Sequence, residues 1–196
     1  MSDHEIKEYA IVLLENEHGE FLFLRRTLES GDIRESKGKW VPPGGHIEKR
    51  GVGLEREREL YDLDPIKAAI MAGIRETLEE CKIDISLYQI KYVCAFQNPT
   101  PWGPKKAHVL HVKLPEGADP EIKLSDGQPE VEHDRHGWFS RQFVISQIRG
   151  DRQLLRDFSE SPRGRYDYTQ ITWELIDRDL IPRTGPVRNR GKVHVK

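Results

Sequence analysis

Three glutamates on one predicted helix constrain this chain more than any other feature of its sequence. Glu76 precedes Glu79 and Glu80 by three and four residues, so the three side chains share one helix face. Like charges at these spacings repel one another, and a fold that keeps them together therefore needs a compensating cation. Carboxylate oxygens are the ligands that Mg²⁺ and Mn²⁺ prefer. The run therefore predicts a divalent-metal site.

The helix that carries this run is predicted by its first residues and by its periodicity. Asp64 followed by Pro65 is typical of an N-cap and the first helical position. Apolar and small residues then recur every three or four positions, which predicts a buried stripe made of Ile66, Ile70, Gly73, Thr77 and Cys81. The glutamates lie beside the centre of this stripe, so we expect them to face a cleft.

A loop of paired prolines and paired glycines lies upstream of the helix, between Trp40 and Glu48. Such a loop has a tight backbone that another group can approach closely. Backbone carbonyls of the loop and carboxylates of the helix would together suit a metal ion held against phosphate. Trp40 is interpreted as a core residue, with stacking on a base as the alternative.

The loop and the helix together resemble the signature of the Nudix hydrolases. The residues that carry the resemblance are Pro43-Gly44-Gly45-His46-Ile47-Glu48 and Arg75-Glu76-Thr77-Leu78-Glu79-Glu80. The family pattern is Gly-x5-Glu-x7-Arg-Glu-U-x-Glu-Glu-x-Gly-U, where U is aliphatic. The resemblance implies an α/β fold, the Nudix-type α/β/α sandwich with a mixed central sheet. It also implies a pyrophosphohydrolase that uses Mg²⁺ or Mn²⁺.

The chain departs from the family pattern in four ways. The interval between Glu48 and Arg75 is longer, and Lys67 stands where the pattern has the glutamate that braces the arginine. Thr77 replaces an aliphatic residue, and Lys82 replaces the terminal glycine. The extra segment, residues 49–63, alternates in charge, which is typical of a solvated surface segment. It could instead close over the pocket as a lid, or brace the arginine through one of its acids, Glu55, Glu57, Glu59 or Asp62.

The resemblance also implies roles for individual residues. The metal ligands would be the Gly45 carbonyl and the three helix glutamates, and Arg75, Glu76 and Glu79 would be catalytic. An acidic segment before Trp138-Phe139 would supply Glu130 as a further ligand or Glu132 as the base, with a plain acidic loop as the alternative. Arg25 and Arg26 are either solvated charges at a strand end or contacts to substrate phosphate, since guanidinium groups pair well with phosphate. His46 either contacts substrate phosphate or shapes the turn, and Trp102 is either packed against the protein or used to recognise the substrate.

Three functions are consistent with this signature. The first is hydrolysis of a nucleoside diphosphate linked to another moiety, such as ADP-ribose or a sugar nucleotide, a dinucleoside polyphosphate or a nucleoside triphosphate. The second is a non-catalytic sensor that binds a nucleotide, which the intact glutamates disfavour. The third is pyrophosphohydrolysis at an RNA 5′ end, in which the basic tail would contact RNA.

Composition sets the remaining expectations. The chain has 196 residues, a net charge of −2 and two cysteines without CxxC spacing, which indicates a cytoplasmic protein with reduced thiols. No apolar run is long enough for a membrane helix. We predict one domain over residues 1–181 and a basic tail over 182–196, flexible or docked on RNA or a partner subunit, with a homodimer left open.

Local patterns predict the other elements. Strands are expected at 9–14 and 21–24, as a hairpin, and at 83–85, 90–96, 107–114 and 138–139. Helices are expected within residues 142–157 and 168–180. The histidines of the 107–114 strand are interpreted as structural.

Overall fold

The computed structural model describes residues 6–26, 39–48, 55–98, 105–118, 122, 133–144, 167–168, 175 and 178–181. The chain divides into two compact units. The first comprises Met1–Leu14, Pro43–Leu114 and Asp119–Lys123, and the second comprises Glu15–Pro42, Pro115–Ala118 and Leu124–Lys196. A single domain over residues 1–181 stays a prediction.

The described elements comprise eight strands and two α-helices, which lie between the fourth and fifth strands, and this confirms the α/β class. The elements are β1 (Lys7–Glu15), β2 (Glu20–Arg26), β3 (Lys39–Val41), β4 (Gly44–His46), α1 (Glu55–Leu63), α2 (Pro65–Cys81), β5 (Ile90–Asn98), β6 (Lys105–Lys113), β7 (His133–Ser140) and β8 (Asp167–Tyr168). A 3-10 helix, Ile85–Leu87, follows α2.

In the first unit, β6 lies between β5 and β1, and β4 pairs with β1. The β5–β6 and β1–β4 pairs are antiparallel. The apolar run of β1 is buried almost throughout, as expected for a central strand whose two faces are both covered. Helix α2 packs against this sheet.

Helix α2 begins as its sequence predicts and ends at Cys81. The Asp64 side chain accepts hydrogen bonds from the backbone N–H groups of Ile66 and Lys67, which satisfies two of the unpaired donors of the first turn. At the other end, Lys82 has the left-handed conformation, with φ 61°. This left-handed conformation at a helix C-terminus is the one that glycine adopts most readily.

The buried face of α2 differs from the predicted stripe. It consists of small residues, namely Ala68, Ala69, Ala72, Gly73, Thr77 and Cys81, whereas Ile66 is 43% exposed and Ile70 is half-buried. A Cβ on Gly73 would press against Leu110 of β6 and approach Val12 of β1. The helix therefore lies too close to the sheet for isoleucine side chains, and alanines form its contact face.

The second unit contains a mixed sheet, as predicted. Strand β2 lies between β7 and β3 and is antiparallel to both, whereas β3 and β8 are parallel. Its core is aromatic. Trp40 packs edge-on against Phe139 at 5.0 Å between ring centroids and is 3% exposed, which confirms it as a core residue.

The hairpin predicted at residues 9–14 and 21–24 is confirmed at its turn, where Glu15 pairs with Phe21. Other local predictions are wrong. Residues 83–85 form no strand, and Ile85 begins the 3-10 helix, where Asp84 accepts the Ser86 N–H. Tyr168, predicted to be helical, lies in β8 because it pairs with Trp40.

Only part of the helix predicted within 142–157 is described, through helical residues up to Val144. Among the described residues, no helix combines the length and apolar character that crossing a membrane requires.

Candidate active site

The glycine loop is held on β1 by its backbone. Val12 N–H donates to the Pro43 carbonyl, and Ile47 N–H donates to the Glu8 carbonyl, both at 2.9 Å. Gly44 has φ +149°, and a Cβ there would overlap the Ala10 carbonyl oxygen. Only glycine therefore allows β4 to lie this close to β1.

The same loop meets two of the helix glutamates. The Gly44 N–H donates to Glu80 Oε2 at 2.9 Å. A Cβ on Gly45 would overlap the Glu76 carboxylate, so that carboxylate lies directly against the loop backbone. Glycines at 44 and 45 thus let α2 bring its acids to β4.

Arg75 links three groups around this contact. Its Nη1 lies 2.7 Å from Glu76 Oε1 and 3.3 Å from Glu79 Oε2, and its Nη2 donates to the His46 carbonyl at 2.8 Å. Burial alone would lower the pKa of Arg75, but the nearby carboxylates of Glu76 and Glu57 outweigh it and raise the pKa above its ordinary value. The guanidinium therefore stays charged and orients the acids around it.

The inserted segment provides the brace that the family pattern places elsewhere. Glu57 of α1 is 4% exposed. One of its oxygens lies 3.3 Å from Arg75 Nε, and the other accepts the Glu48 N–H at 2.7 Å. Among the candidate acids whose side chains the structure describes, Glu57 is the one that contacts Arg75. Helix α1 packs against α2, so the interpretation as a merely solvated segment is wrong.

A second anchor fixes α1 one turn later. The Tyr61 hydroxyl donates to buried Glu8 of β1, which also contacts His108 Nε2 at 2.7 Å and Lys106 Nζ at 3.2 Å. Burial alone would raise the pKa of Glu8, but its three partners outweigh burial and lower the pKa from 4.5 to about 2. Glu8 is therefore a buried anion that ties α1 to the sheet.

Burial lowers the pKa of His108 below its ordinary 6.5, against the opposing effect of Glu8. A neutral His108 can donate from Nε2 to Glu8 and accept the Tyr92 hydroxyl at Nδ1, 3.1 Å away. The structural interpretation of this histidine is therefore supported by its contacts. The one feature of the sequence that points to this cluster is an acid, Glu8, directly before an apolar run.

The cation that lies among the glutamates in this structure is Arg75. Within the described ranges, no group of three or more His, Cys, Asp and Glu side chains is arranged to hold a metal ion. The donor chemistry nevertheless fits Mg²⁺ or Mn²⁺, because Glu76 and Glu80 meet the Gly44–Gly45 backbone and Glu79, 59% exposed, faces solvent. All of these ligands are hard oxygens.

The other predicted site residues lie elsewhere along the chain. Arg25 and Arg26 belong to β2 of the second unit, where they pair in register with Arg135 and His133. His46 is exposed on β4. Trp102, Glu130 and Glu132 lie outside the described residues, so their roles stay predictions.

Solved structures with this fold include several Nudix proteins. A MutT protein from Methanosarcina mazei has a TM-score of 0.51 and 20% identity, covering 92% of this chain and 99% of that one. A Nudix hydrolase from Nitrosomonas europaea has a TM-score of 0.50 and 16% identity, covering 90% and 89%.

A bifunctional NMN adenylyltransferase/ADP-ribose pyrophosphatase from Francisella tularensis, in complex with AMP and a manganese ion, has a TM-score of 0.56 and 17% identity. The match covers 93% of this chain but only 44% of that protein. No family model and no curated protein sequence matches the chain. These likenesses show that the chain has the Nudix fold.

Proposed function

We propose that this chain is a Mg²⁺- or Mn²⁺-dependent hydrolase that cleaves the pyrophosphate bond of a nucleoside diphosphate linked to another moiety. The observation that carries the proposal is the contact of the Gly44–Gly45 backbone with the carboxylates of Glu76 and Glu80. An acidic helix face held against a glycine loop brings hard oxygen donors together, as a phosphate-bound divalent ion requires. ADP-ribose or sugar nucleotides, dinucleoside polyphosphates and nucleoside triphosphates are the candidate substrates.

The ion would be held by the Gly45 carbonyl and by Glu76, Glu79 and Glu80, with Glu130 as a further ligand. When bound, such an ion neutralises phosphate charge and lowers the pKa of a coordinated water. Arg75 is assigned to positioning, because its guanidinium contacts Glu76 and Glu79. The hydrogen bond from Arg75 to the His46 carbonyl keeps the loop next to these acids.

The reaction needs a base. The water oxygen bonds to one phosphorus, the bridging P–O bond breaks with its electron pair on the leaving phosphate, and a carboxylate accepts the water's proton. Glu79 is the most exposed of the three acids that contact Arg75, at 59% against 15% for Glu76 and 5% for Glu57. This exposure favours Glu79 as the acceptor among the described acids, and Glu132 is the alternative.

Substrate contacts are proposed for Arg25, Arg26, His46 and Trp102. Guanidinium groups pair with phosphate oxygens through two hydrogen bonds, and a tryptophan offers a face on which a base can stack. Among the relatives with this fold, the Francisella tularensis complex contains AMP and a manganese ion. That pairing of nucleotide and metal supports the same class of ligand here.

A nucleotide panel tests the proposal. The purified protein is incubated with ADP-ribose, sugar nucleotides, dinucleoside polyphosphates and nucleoside triphosphates, each with Mg²⁺, with Mn²⁺ or with EDTA, and products are separated by chromatography. We expect metal-dependent cleavage of at least one substrate and its loss in Glu79→Gln. Glu116→Gln, at an exposed position of a turn, is the matched control. Nucleotide binding without turnover would instead identify a sensor.

A further inference from the structure

Three side chains form a row across the first unit's sheet. Tyr9 of β1 lies between His46 of β4 and Lys105 of β6. The ring centroids of Tyr9 and His46 are 4.1 Å apart, and Lys105 Nζ lies 5.0 Å from the centroid of the Tyr9 ring. We call these three residues the lysine–aromatic row.

The row lies on the sheet face opposite to the helices. Successive strand residues point to opposite faces. Glu8 contacts Tyr61 of α1, so Tyr9 points the other way. On β4, likewise, Gly45 meets Glu76 of α2, and His46 follows it. The row and the acid cluster therefore lie on the two faces of the same short strand.

The row carries charge that the described residues do not neutralise. Within these residues Lys105 makes no ion pair with a carboxylate, and its ammonium group lies over the ring of Tyr9. Its neighbour Lys106 contrasts with it, because Lys106 pairs with Glu8 at 3.2 Å. A cation over an aromatic face keeps its full charge. Beside it, His46 is exposed, so an anion can approach the row from solvent.

Strand β4 connects the row to the candidate active site. The His46 carbonyl accepts a hydrogen bond from Arg75, and the preceding residue contacts Glu76. In the part of the chain that is described, β4 has one strand partner, β1, so its other edge has no neighbouring strand. A chain of phosphates that reaches the acids can pass this edge to the row.

We propose that the lysine–aromatic row binds the further phosphates of a polyphosphate substrate, which rests on the hydrolase function proposed above. The substrate then has three or more consecutive phosphates, as in a nucleoside triphosphate or a dinucleoside polyphosphate. A nucleobase fits the row less well, because the ring of Tyr9 already contacts an imidazole and an ammonium group. The row therefore offers charge and N–H donors to the ligand.

Substrate-dependent kinetics test this proposal. Values of kcat/KM are measured with a nucleoside triphosphate, a dinucleoside tetraphosphate and an ADP-sugar for wild type and Lys105→Met. We expect Lys105→Met to lower kcat/KM roughly tenfold for a polyphosphate substrate, as loss of one charged contact does, and less than about twofold for the ADP-sugar. If kcat/KM falls with the nucleoside triphosphate alone, Lys105 contacts a terminal phosphate. If it falls with the dinucleoside tetraphosphate, Lys105 contacts a bridging phosphate.

Two further variants separate a binding role from a structural one. Lys91→Met removes an exposed lysine of β5 and should leave all three kcat/KM values unchanged. Tyr9→Phe keeps the ring and should retain polyphosphate selectivity, whereas Tyr9→Leu should lose it. An equal loss for all substrates in Lys105→Met, or no loss for any, would overturn the proposal.

A binding measurement keeps the test independent of turnover. Calorimetry compares inorganic triphosphate with inorganic pyrophosphate, both with Mg²⁺, on wild type and Lys105→Met. We expect the Kd of triphosphate to rise roughly tenfold in the variant and the Kd of pyrophosphate to change less than about twofold. Equal changes in the two Kd values would refute the proposal that the lysine–aromatic row binds the further phosphates. If wild type hydrolyses no nucleotide, the hydrolase function fails, and this selectivity still decides the role of the row.

Discussion

Glu57 of α1 and Arg75 of α2 form an ion pair, with Glu57 Oε2 3.3 Å from Arg75 Nε. The carboxylate is nearly buried, and its second oxygen accepts the Glu48 N–H. A buried carboxylate with both oxygens engaged fixes the guanidinium by charge and by geometry. Arg75 in turn contacts Glu76 and the His46 carbonyl, so the pair connects the inserted helix to the acid cluster.

Replacing this brace should impair activity. In Glu57→Gln the amide oxygen can still accept the Glu48 N–H, but the charge opposite Arg75 is lost. We expect kcat/KM to fall by roughly 10- to 100-fold, as for other groups that orient metal-site residues, and stability to fall by about 1–3 kcal/mol. Steady-state kinetics and urea unfolding measure the two effects.

The control for this variant is Glu59→Gln, which removes an exposed acid from the same helix. It should change neither activity nor stability beyond about 0.5 kcal/mol. Equal losses in the two variants would show that the charge of α1 matters rather than the contact with Arg75.

Gly45→Ala should separate activity from folding. The new Cβ would overlap the Glu76 carboxylate, and the flexible end of Glu76 must move away. We therefore expect a loss of at least about 10-fold in kcat, as for a misplaced catalytic group, with a small change in the unfolding midpoint. Gly117→Ala is the control, because nothing lies within 4 Å of its Cβ but its φ is +78°. It should lose stability and keep activity.

Lys82→Gly should stabilise the protein. Lys82 has φ 61°, a conformation that costs a residue with a Cβ roughly 1 kcal/mol more than glycine. The exposed hydrogen bond from Lys82 Nζ to the Glu79 carbonyl is lost, so we expect a net gain of about 0.5 kcal/mol in urea unfolding. Lys82→Ala keeps the Cβ and should show no gain. A gain in both variants would refute backbone strain as the cause.

Thr77→Val should also stabilise the protein. Thr77 is fully buried, and in the described part of the chain its hydroxyl has no hydrogen-bond partner. Valine has the same shape without the polar atom, so the cost of burying an unpaired hydroxyl, about 1 kcal/mol, is recovered. Thermal unfolding should show a higher Tm, whereas Thr77→Ser, which keeps the hydroxyl and removes the methyl group, should lower it.

The buried Glu8 cluster predicts a loss of stability in acid. The pKa of Glu8 is about 2 in the folded chain against 4.5 ordinarily, so its contribution is complete above pH 4.5 and is lost as the pH falls towards 2. The pKa of His108 is also lowered, so stability begins to fall below pH 6.5. We expect the unfolding free energy of wild type to exceed that of Glu8→Gln by roughly 3 kcal/mol above pH 4.5. This difference should disappear between pH 4.5 and 2.

Unfolding free energies of wild type and Glu8→Gln, measured at closely spaced pH values, provide the test. A difference that stays constant through that window would exclude Glu8 as the titrating group.

Local signals were sufficient to predict α2 and its acids. The Asp64 cap, Pro65 and the glutamate spacing act within one or two turns, and the structure reproduces the cap and the helix. The pattern failed at Ile66, predicted to be buried, because the distance between α2 and the sheet is set by Gly73 and its contacts with Leu110 and Val12. No local periodicity encodes that distance.

The brace and the β8 pairing could not be predicted for the same reason. The alternating charges of α1 are compatible with a solvated helix, and the role of Glu57 follows only from the approach of Arg75 from another helix. Tyr168 likewise becomes a strand residue because Trp40 is available to pair with it. Partners distant in sequence decide both outcomes.

The origin of the Arg75 brace has a consequence for how such proteins are detected. A motif defined by a fixed number of residues between glycine loop and arginine records only one way of delivering an acid to that arginine. Here the acid comes from helix α1, so the length of the segment between the glycine loop and Arg75 can vary while the Glu57–Arg75 contact is kept. Chains with this fold and a longer segment between the glycine loop and the arginine should therefore be sought by comparing structures and not by counting residues between motifs.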